Sequence, residues 1–296
     1  MHVERSPVLL ALLLVQVLFS TLHVVGKLVL AELPPLAFAG TRVAIATPLL
    51  LLLAWRHDRF VPGRSDWPRL ALLGMLGIFA NQTLFLLGLN FTTATSSAIL
   101  MPSIPVFTAA AGALLGVERV AGRRLAGIVV AAAGALVLLD PTRIETSPHA
   151  TIGNLLILAN CLCYAFFLVL QRPLFARIPW RTLIAWSFLF GSLGTLPLAA
   201  PSLAATDWGE VTTGTYAGIV YIGVVPTALT FALATWAVRR SSPAVVAAFT
   251  TLQPVFTSAL AALTLGEAVR PNQALGFLLI VLGLVLVQRR PAPLPA

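Results

Sequence analysis

Long apolar stretches separated by short polar breaks run through the whole chain. A helix of about 20 apolar residues can span the ~30 Å hydrocarbon core of a bilayer. The sequence contains ten such stretches, at residues 8–30, 34–55, 68–89, 94–117, 122–139, 151–170, 183–200, 211–237, 243–266 and 272–287. They are too long for barrel strands and show no alternation of polar and apolar positions, so we predict ten transmembrane helices.

The breaks between the stretches contain residues that end helices. They read ELPP at 32–35, RHDRFVPGRSDWP at 56–68, DPTRIETSPH at 140–149 and RIPWR at 177–181. The border between the third and fourth stretches has a weaker marker, the uncharged segment NFTTATSS. The first stretch is too long for the apolar region of a cleaved signal peptide, and no small-residue cleavage site follows it.

The composition favours lipid as the solvent of this chain. Hydrophobic residues make up 58% of it, charged residues 10%, and the mean hydropathy is +0.94. Soluble proteins carry roughly 25% charged residues. A soluble globule of this size would lack the polar side chains to cover its surface, so we expect an all-α polytopic membrane protein in contact with the lipid bilayer.

The distribution of basic residues predicts the orientation of the chain. With a cytoplasmic N-terminus and ten crossings, 15 of the 19 basic residues fall in cytoplasmic segments. The outer loops contain only Arg143 and Arg270, while Lys27 and Arg42 lie within or at the outer ends of the first two stretches. This positive-inside bias predicts cytoplasmic termini and an even number of crossings. It also accounts for the net charge of +9, and no aromatic-interleaved basic patch points to nucleic acid.

The two halves of the chain carry the same pattern. PVFT stands at 105–108 and again at 254–257, an offset of 149 residues. Three pairs follow at that offset: Glu118 and Glu267, Gly127 and Gly276, Gly134 and Gly283. Five stretches precede the loop at 140–150 and five follow it. An odd number of crossings per half predicts an inverted repeat, with Glu118 and Glu267 on opposite sides of the membrane.

The repeat also predicts the domain organisation. We expect a first five-helix repeat at 1–139, an outer linker at 140–150, a second repeat at 151–288 and a Pro-rich cytoplasmic tail at 289–296. The first helices of the two halves match less well, because aligning Pro35 with Pro179 requires an offset of 144.

The segments at 34–52, 105–139 and 221–287 resemble the drug/metabolite transporter superfamily, and within it the ten-helix EamA-type exporters. The outward proline and the arginine of the second stretch are typical of that family, as is the PVFT segment with its Glu and Gly residues. The resemblance covers nearly the whole chain and is greatest to bacterial exporters of amino acids, including aromatic ones. It implies two five-helix bundles around a central cavity that opens alternately to each side, in the inner (plasma) membrane.

The paired glycines and prolines have different physical interpretations. Gly127 and Gly134, like their counterparts Gly276 and Gly283, lie seven residues apart on one helix face and would allow close helix packing in lipid. Pro105 and Pro254 fall near the middle of their stretches, where the missing N–H bends a helix. We interpret them as hinges beside the cavity, although proline is also simply common in membrane helices.

Polar side chains within the stretches are the candidate binding residues, because polar groups in a membrane usually face the protein interior. Amides suit the charged ends of an amino acid and aromatic rings suit its side chain. The candidates for contact with the substrate are Gln16, Ser20, His23, Asn81, Gln82, Phe85, Ser97, Asn160, Tyr164, Tyr221, Thr230, Trp236 and Gln253. Each hydroxyl has the alternative of bonding a carbonyl of its own helix, and Trp236 that of anchoring at the membrane interface.

The positions of the charged residues indicate how transport is driven. None of the ten acidic residues falls in the middle of a stretch, whereas proton-driven transporters usually place a carboxyl group or His on the path. We therefore expect downhill movement or exchange without proton coupling. Lys27 and Arg42 have three possible roles: to pair with Glu32, to stabilise carbonyl ends, or to attract an anionic group.

Other chemistries find little support. The sequence has no HExxH, no Walker motif and no carboxylate pair within a stretch, and the C-x-C of Cys161 and Cys163 fits neither a zinc nor a redox pattern. We expect no cofactor, no metal and no enzymatic activity. The predicted function is export of amino acids or related metabolites by a monomer, and the alternative is a non-transporting membrane protein such as a lipid-handling or receptor-like bundle.

Overall fold

The structure is a computed structural model that describes residues 5–118, 122–139, 146–265 and 271–288. Its regular elements are helical, with no strand among the described residues. The helices are α1 Arg5–Leu30, α2 Pro35–His57, α3 Trp67–Gly74, α4 Asn81–Phe91, α5 Ala94–Leu100, α6 Ser103–Leu114, α7 Gly122–Leu139, α8 Pro148–Gln171, α9 Trp180–Ala205, α10 Thr213–Ile222, α11 Thr230–Arg240, α12 Pro243–Phe249, α13 Gln253–Leu265 and α14 Pro271–Gln288.

Within the described residues, seven helical segments are long and apolar enough to cross a membrane, and shorter apolar helices accompany them. Each of the seven coincides with one of the predicted stretches. Their outward surfaces carry large apolar side chains such as Leu10, Leu114 and Leu193, which are exposed in the isolated chain. Lipid is the solvent that such a surface requires, so the prediction of an all-helical, multi-pass membrane protein is confirmed.

Four of the stretches contain an interruption that the hydrophobic pattern does not reveal. A π-helical turn at Met75–Ala80 separates α3 from α4, and a second at Gly223–Leu229 separates α10 from α11. The second turn contains Pro226, which lacks the N–H that an α-helix would use. π-turns within helices are often found at functional sites.

The other two interruptions lie one turn before the predicted hinge prolines. A proline cannot donate to the carbonyl four residues earlier, which is Met101 for Pro105 and Thr250 for Pro254. The helix breaks at Met101 before α6 begins, and a 3₁₀ turn at Thr250–Leu252 separates α12 from α13. Pro105 and Pro254 therefore lie in the first turn of a new helix, where the missing N–H has no cost.

The order of elements repeats along the chain. The bounds of α4, α5 and α7 recur in α11, α12 and α14 when 149 is added to each residue number. The two π-turns and the two breaks before the hinge prolines recur at nearly the same offset. The second helices begin 145 residues apart, at Pro35 and Trp180. The repeat in the sequence is thus a repeat in local structure, including its irregular turns.

Corresponding helices of the two halves pack against each other in antiparallel directions. In the α2–α9 pair, Gly40 lies beside Ala199 and the hydroxyls of Thr47 and Ser192 are 2.6 Å apart. In the α7–α14 pair, Gly127 lies beside Gly283. Contacts between helices that do not correspond follow the same symmetry. Helix α1 of the first half packs on α11 and α13 of the second, and α8 of the second half packs on α4 and α6 of the first. The cavity described below lies where these helices of the two halves meet.

Glycine permits the close approach of α7 and α14. A Cβ atom on Gly127 would lie 2.7 Å from the carbonyl oxygen of Gly283, and one on Gly134 would lie 2.8 Å from the carbonyl oxygen of Gly276. Real Cβ atoms do not come so close to backbone oxygen. Packing of this kind holds helices together in lipid, where no hydrophobic force does so.

Three carboxylates of the first half receive N–H or O–H groups at helix starts of the second half. Asp58 accepts from the backbone N–H and the hydroxyl of Thr182 at 3.1 and 3.0 Å. Glu118 accepts from the N–H of Ala244 at 3.2 Å, and Glu32 from that of Thr212 at 2.9 Å. Carboxylates suit these positions because helix N-termini present free N–H groups and partial positive charge.

Some predictions fall on parts of the chain outside the described residues. These are Glu267, the basic residues Arg143 and Arg270, most of the linker at 140–150, and the tail at 289–296.

Candidate functional site

A cavity with about 480 Å³ of empty space, including its open part, lies between the two halves. Helices α1, α2, α4 and α6 of the first half, with the break at Met101, line it together with α8, α11 and α13 of the second. The lining residues are Phe19, Leu22, His23, Arg42, Asn81, Gln82, Phe85, Met101, Ile104, Asn160, Tyr164, Phe231 and Gln253. Seven of the predicted binding residues are among them: His23, Asn81, Gln82, Phe85, Asn160, Tyr164 and Gln253.

His23 is fixed by contacts with two elements of the first half. Its Nδ1 lies 3.0 Å from the hydroxyl of Ser97, so one of the two atoms donates to the other. Its ring meets the ring of Phe85 edge to face at 5.3 Å. Ser97 therefore acts behind the cavity wall, orienting His23, and is not itself a lining residue.

Asn81 and Asn160 form a reciprocal pair across the two halves. The amide of Asn160 donates to the carbonyl of Asn81 at 2.7 Å, and the amide of Asn81 donates to the carbonyl of Asn160 at 3.3 Å. The π-turn that precedes α4 ends at Ala80, so Asn81 is the residue where regular α-helix resumes. The pair joins α4 to α8 by two hydrogen bonds at the end of this irregular turn.

Gln253 begins α13 immediately after the 3₁₀ turn and binds α1. Its side-chain amide donates to the Oε1 of Gln16 at 3.0 Å, and its carbonyl accepts from Ser20 at 3.3 Å. The Ser20 hydroxyl also lies 2.6 Å from the carbonyl of Gln16. Gln16 and Ser20 thus connect the cavity wall to α1 without lining the cavity.

Aromatic rings from both halves form the apolar part of the wall. The ring of Phe19 meets Tyr164 at 6.3 Å and Phe231 at 5.8 Å, in both cases edge to face. Tyr164 and Phe231 are 6.1 Å apart, which closes a triangle of rings. Such a surface suits an apolar or aromatic group of a ligand.

Arg42 supplies a positive charge to the cavity. Its side chain is almost fully buried, and its Nε donates to the hydroxyl of Thr227 in the second π-turn at 3.2 Å. Its Nη1 is buried without a hydrogen-bond partner. Glu32, one of the partners that the sequence allows for Arg42, is engaged by Thr212 instead. Gln82 is 1% exposed, and neither its Nε2 nor its Oε1 has a hydrogen-bond partner.

Three predicted binding residues lie away from this cavity. Tyr221 shares a hydrogen bond of 2.9 Å with Thr21, and the hydroxyl of Thr230 donates to the carbonyl of Val225 at 2.9 Å. Trp236 lies under the guanidinium of Arg240, 4.7 Å from ring centre to Cζ, at the end of α11. These contacts account for the hydroxyls of Tyr221 and Thr230 without a ligand.

Comparison with known proteins gives the same picture of the whole chain. A model of the EamA-like transporter family matches residues 6–140 and, separately, residues 151–289. The chain belongs to the EamA-like transporter family. The predicted resemblance to the drug/metabolite transporter superfamily and its EamA-type members is therefore confirmed, and the protein is a member of a family of membrane transporters, whose cargo is small molecules.

Relatives of this EamA-like transporter occur in distant organisms. A WAT1-related protein of Arabidopsis thaliana is 28% identical over 96% of this chain and 86% of its own length. An uncharacterized transporter of Archaeoglobus fulgidus is 27% identical over 94% of this chain and 96% of its own. The uncharacterized transporter YetK of Bacillus subtilis is 28% identical over 92% and 85%, respectively. A crystal structure with 20% identity superposes at a TM-score of 0.74 over 96% of this chain and 98% of that one, which shows that the fold is shared.

Sequence reasoning on this EamA-like transporter missed part of the cavity wall. Arg42 was noted for its charge but was not among the candidate binding residues, although a cation in a membrane stretch was a sufficient signal. Phe19 and Phe231 gave no signal of their own, because sixteen phenylalanines are present and most apolar helix positions face lipid or core. Phe19 lies between Gln16 and His23 on one face of α1, a spacing that links the three only once that face is known.

Proposed function

We propose that this chain exports amino acids or related small metabolites across the plasma membrane by alternating access. In this proposal it crosses the membrane ten times, as two inverted five-helix repeats with both termini in the cytoplasm. The antiparallel packing of α2 on α9 and of α7 on α14 supports the inversion, because corresponding helices of parallel repeats would run in the same direction.

The observation that carries the proposal is the composition of the cavity between the halves. Its lining combines an arginine, a histidine and amide side chains with a cluster of three rings. Polar groups that fix orientation beside an apolar surface are the usual pattern of a small-molecule site. An amino acid with an apolar or aromatic side chain matches both kinds of lining group.

The interrupted helices supply the places at which the two halves can change their relative positions. The break at Met101 and the 3₁₀ turn at Thr250–Leu252 each lie at a cavity-lining segment, and each precedes a hinge proline, Pro105 or Pro254. Fewer α-helical hydrogen bonds resist bending there than elsewhere in the same helices. We propose that the outer portions of these helices rock about these points.

The driving force that we propose for transport follows from the side chains that line the cavity. No Asp or Glu lines it among the residues that the structure describes, and its histidine, His23, is engaged with Ser97 and packed against Phe85. Without a carboxylate on the path, we propose downhill transport or exchange without coupling to protons. Both halves needed to enclose the cavity belong to one chain, so we propose that the monomer is functional.

Transport by the purified protein tests the proposal. Liposomes loaded with radiolabelled amino acids, with and without the protein, are diluted into label-free buffer, and efflux is followed. We expect protein-dependent efflux of at least one apolar or aromatic amino acid, reduced by Tyr164→Ala and unchanged by the control Tyr216→Ala, which lies outside the cavity. Absence of efflux for every amino acid in the panel would favour a non-transporting bundle. A pH gradient that drives strong uphill accumulation would contradict the absence of proton coupling.

A further inference from the structure

One guanidinium nitrogen of Arg42 is buried without a hydrogen-bond partner. Arg42 is 1% exposed and lines the cavity, and no ion pair to it exists within the described part of the chain. An arginine keeps its charge in proteins. A buried cation without a partner is costly, and within a membrane it usually marks the path of a substrate.

The guanidinium is held in position from one side. The Nε donates to Thr227, and the ring of Phe38 lies 6.0 Å from the Cζ. These contacts come from the second π-turn and from the turn of α2 that precedes Arg42. They leave Nη1 as a buried donor without a partner. The rigid fork of an arginine matches the two oxygens of a carboxylate.

The rest of the cavity offers no equivalent group for an ammonium ion. Counted from the first residues of α2 and α9, the position in the second half that corresponds to Arg42 is Ser187, whose hydroxyl donates to the carbonyl of Leu183 at 2.8 Å. The lining residues of the described chain include no Asp or Glu. The carboxylate of a zwitterion would neutralise Arg42. Its ammonium group would then be a second cation, with only amide oxygens and aromatic rings as partners.

We propose that the transported solute is recognised by a carboxylate, which binds Nη1 of Arg42, and that its ammonium group is dispensable. This inference rests on the proposed function, and it narrows the substrates to organic acids with an apolar or aromatic body, amino acids among them. A monocarboxylate neutralises the single arginine, whereas phosphate, with up to two charges and three acceptor oxygens, calls for a cluster of cations. The unpaired Nε2 of Gln82, in the same cavity, is available as a second donor to the carboxylate.

A series of four compounds that share one phenyl ring tests this assignment. They are phenylalanine, 3-phenylpropionate, phenylalaninamide and 3-phenylpropanol, which carry both charges, the carboxylate alone, the ammonium alone and neither. Binding to the purified protein is measured from the shift of its melting temperature with ligand concentration, and counterflow of radiolabelled phenylalanine is measured in liposomes. We expect the two carboxylates to bind within about 10-fold of each other. We expect the amide and the alcohol to bind about 30-fold or more weakly, the range for removing one partner of a buried charge pair.

Three variants distinguish the loss of the Arg42 charge from a general loss of structure. Arg42→Gln is expected to remove the preference for the carboxylates, Arg42→Lys to retain part of it, and Arg56→Gln, at the exposed end of the same helix, to leave it unchanged. If Arg42→Gln fails to fold, the compound series on the unaltered protein still decides the matter.

The failures of this inference and of the proposed function are distinguishable. Equal binding and transport of phenylalaninamide and phenylalanine would overturn the role of Arg42 while leaving export of small metabolites intact. Binding of phenylalanine but not of 3-phenylpropionate would show that the ammonium is required and would overturn its dispensability. Absence of counterflow with every compound, together with the absence of efflux for every amino acid of the earlier panel, would overturn both proposals.

Discussion

Arg42 of the first half and Thr227 of the second are joined by a hydrogen bond of 3.2 Å between Nε and Oγ1, at the wall of the central cavity. Arg42 is in a regular helix, whereas Thr227 is in the π-turn that also contains Pro226. The irregular turn thus brings a hydroxyl of one half to the cation of the other. The relationship makes the position of the charge depend on both halves.

We expect Thr227→Ala to weaken the binding of carboxylates, because the guanidinium loses the contact that orients it. A hydrogen bond to a charged group is worth about 1.5–3 kcal/mol, so the dissociation constant is expected to rise about 10-fold or more. Thr227→Ser, which keeps the hydroxyl, is the matched control. The melting-temperature titration with 3-phenylpropionate measures both variants, and equal losses in the two would contradict a positioning role for the hydroxyl.

The Asn81–Asn160 pair is expected to contribute to stability. Asn160→Ala removes the amide that donates to the carbonyl of Asn81, one of the two hydrogen bonds that join α8 to α4 here. A hydrogen bond of this kind contributes about 0.5–1.5 kcal/mol, and the melting temperature is expected to fall by a few degrees. Asn90→Ala, at the exposed end of α4, is the control. A melting temperature unchanged by Asn160→Ala would contradict a stabilising role for this hydrogen bond.

The contact between α7 and α14 is expected to tolerate no side chain at Gly127. Gly127→Leu places a branched group where even a Cβ atom lies 2.7 Å from the carbonyl oxygen of Gly283. Overpacking of this kind costs about 1–3 kcal/mol or more. Gly122→Ala, on the same helix with open space around it, serves as the comparison. The recovery of monodisperse protein and its melting temperature report the effect, and equal behaviour of the two variants would count against the close packing.

The inverted arrangement predicts opposite accessibility for the two repeated glutamates. In a background with Cys161 and Cys163 replaced by Ala, Glu118→Cys is expected to react with a membrane-impermeant thiol reagent from the cytoplasmic side. Glu267→Cys is expected to react from the outside. Asp207→Cys, in a predicted outer loop, marks outside labelling. Labelling of both repeated positions from one side would rule out the inversion.

The contact between Glu32 and Thr212 is expected to make stability depend on pH. The backbone N–H and the hydroxyl of Thr212 stabilise the charged carboxylate and lower the pKa of Glu32 below its ordinary value. The contribution of this group is therefore fully present above the ordinary carboxyl pKa and is lost as the pH falls through the lowered value. The difference in melting temperature between the unaltered protein and Glu32→Gln should shrink over that acidic range. Glu210→Gln, on the same predicted side, is the comparison, and a difference that persists at the lowest pH would contradict the assignment.

Much of the fold could be predicted from the sequence, because a membrane imposes long apolar helices. The stretches at 122–139 and 272–287 agree with α7 and α14 to within a residue. The interruptions could be predicted only in part: Pro105 and Pro254 indicated where to look, but the π-turn at Met75–Ala80 contains no proline and left no mark in the hydrophobic pattern.

The candidate site was predicted less completely, for a physical reason. A polar residue in lipid must find a partner, and the sequence does not say whether the partner is a ligand or another helix. Asn81 and Gln253 line the cavity, whereas Thr230 binds a carbonyl of its own π-turn and Tyr221 binds Thr21. Only the packing of helices distant in sequence separates these cases.

The glycine contacts between α7 and α14 have a mechanical consequence. The two backbones are in direct contact, with no side chains between them that could change rotamer. These helices therefore cannot slide along each other without first moving apart. Helices α7 and α14 therefore move as one rigid unit, and any change in the shape of the cavity requires movement of the other helices.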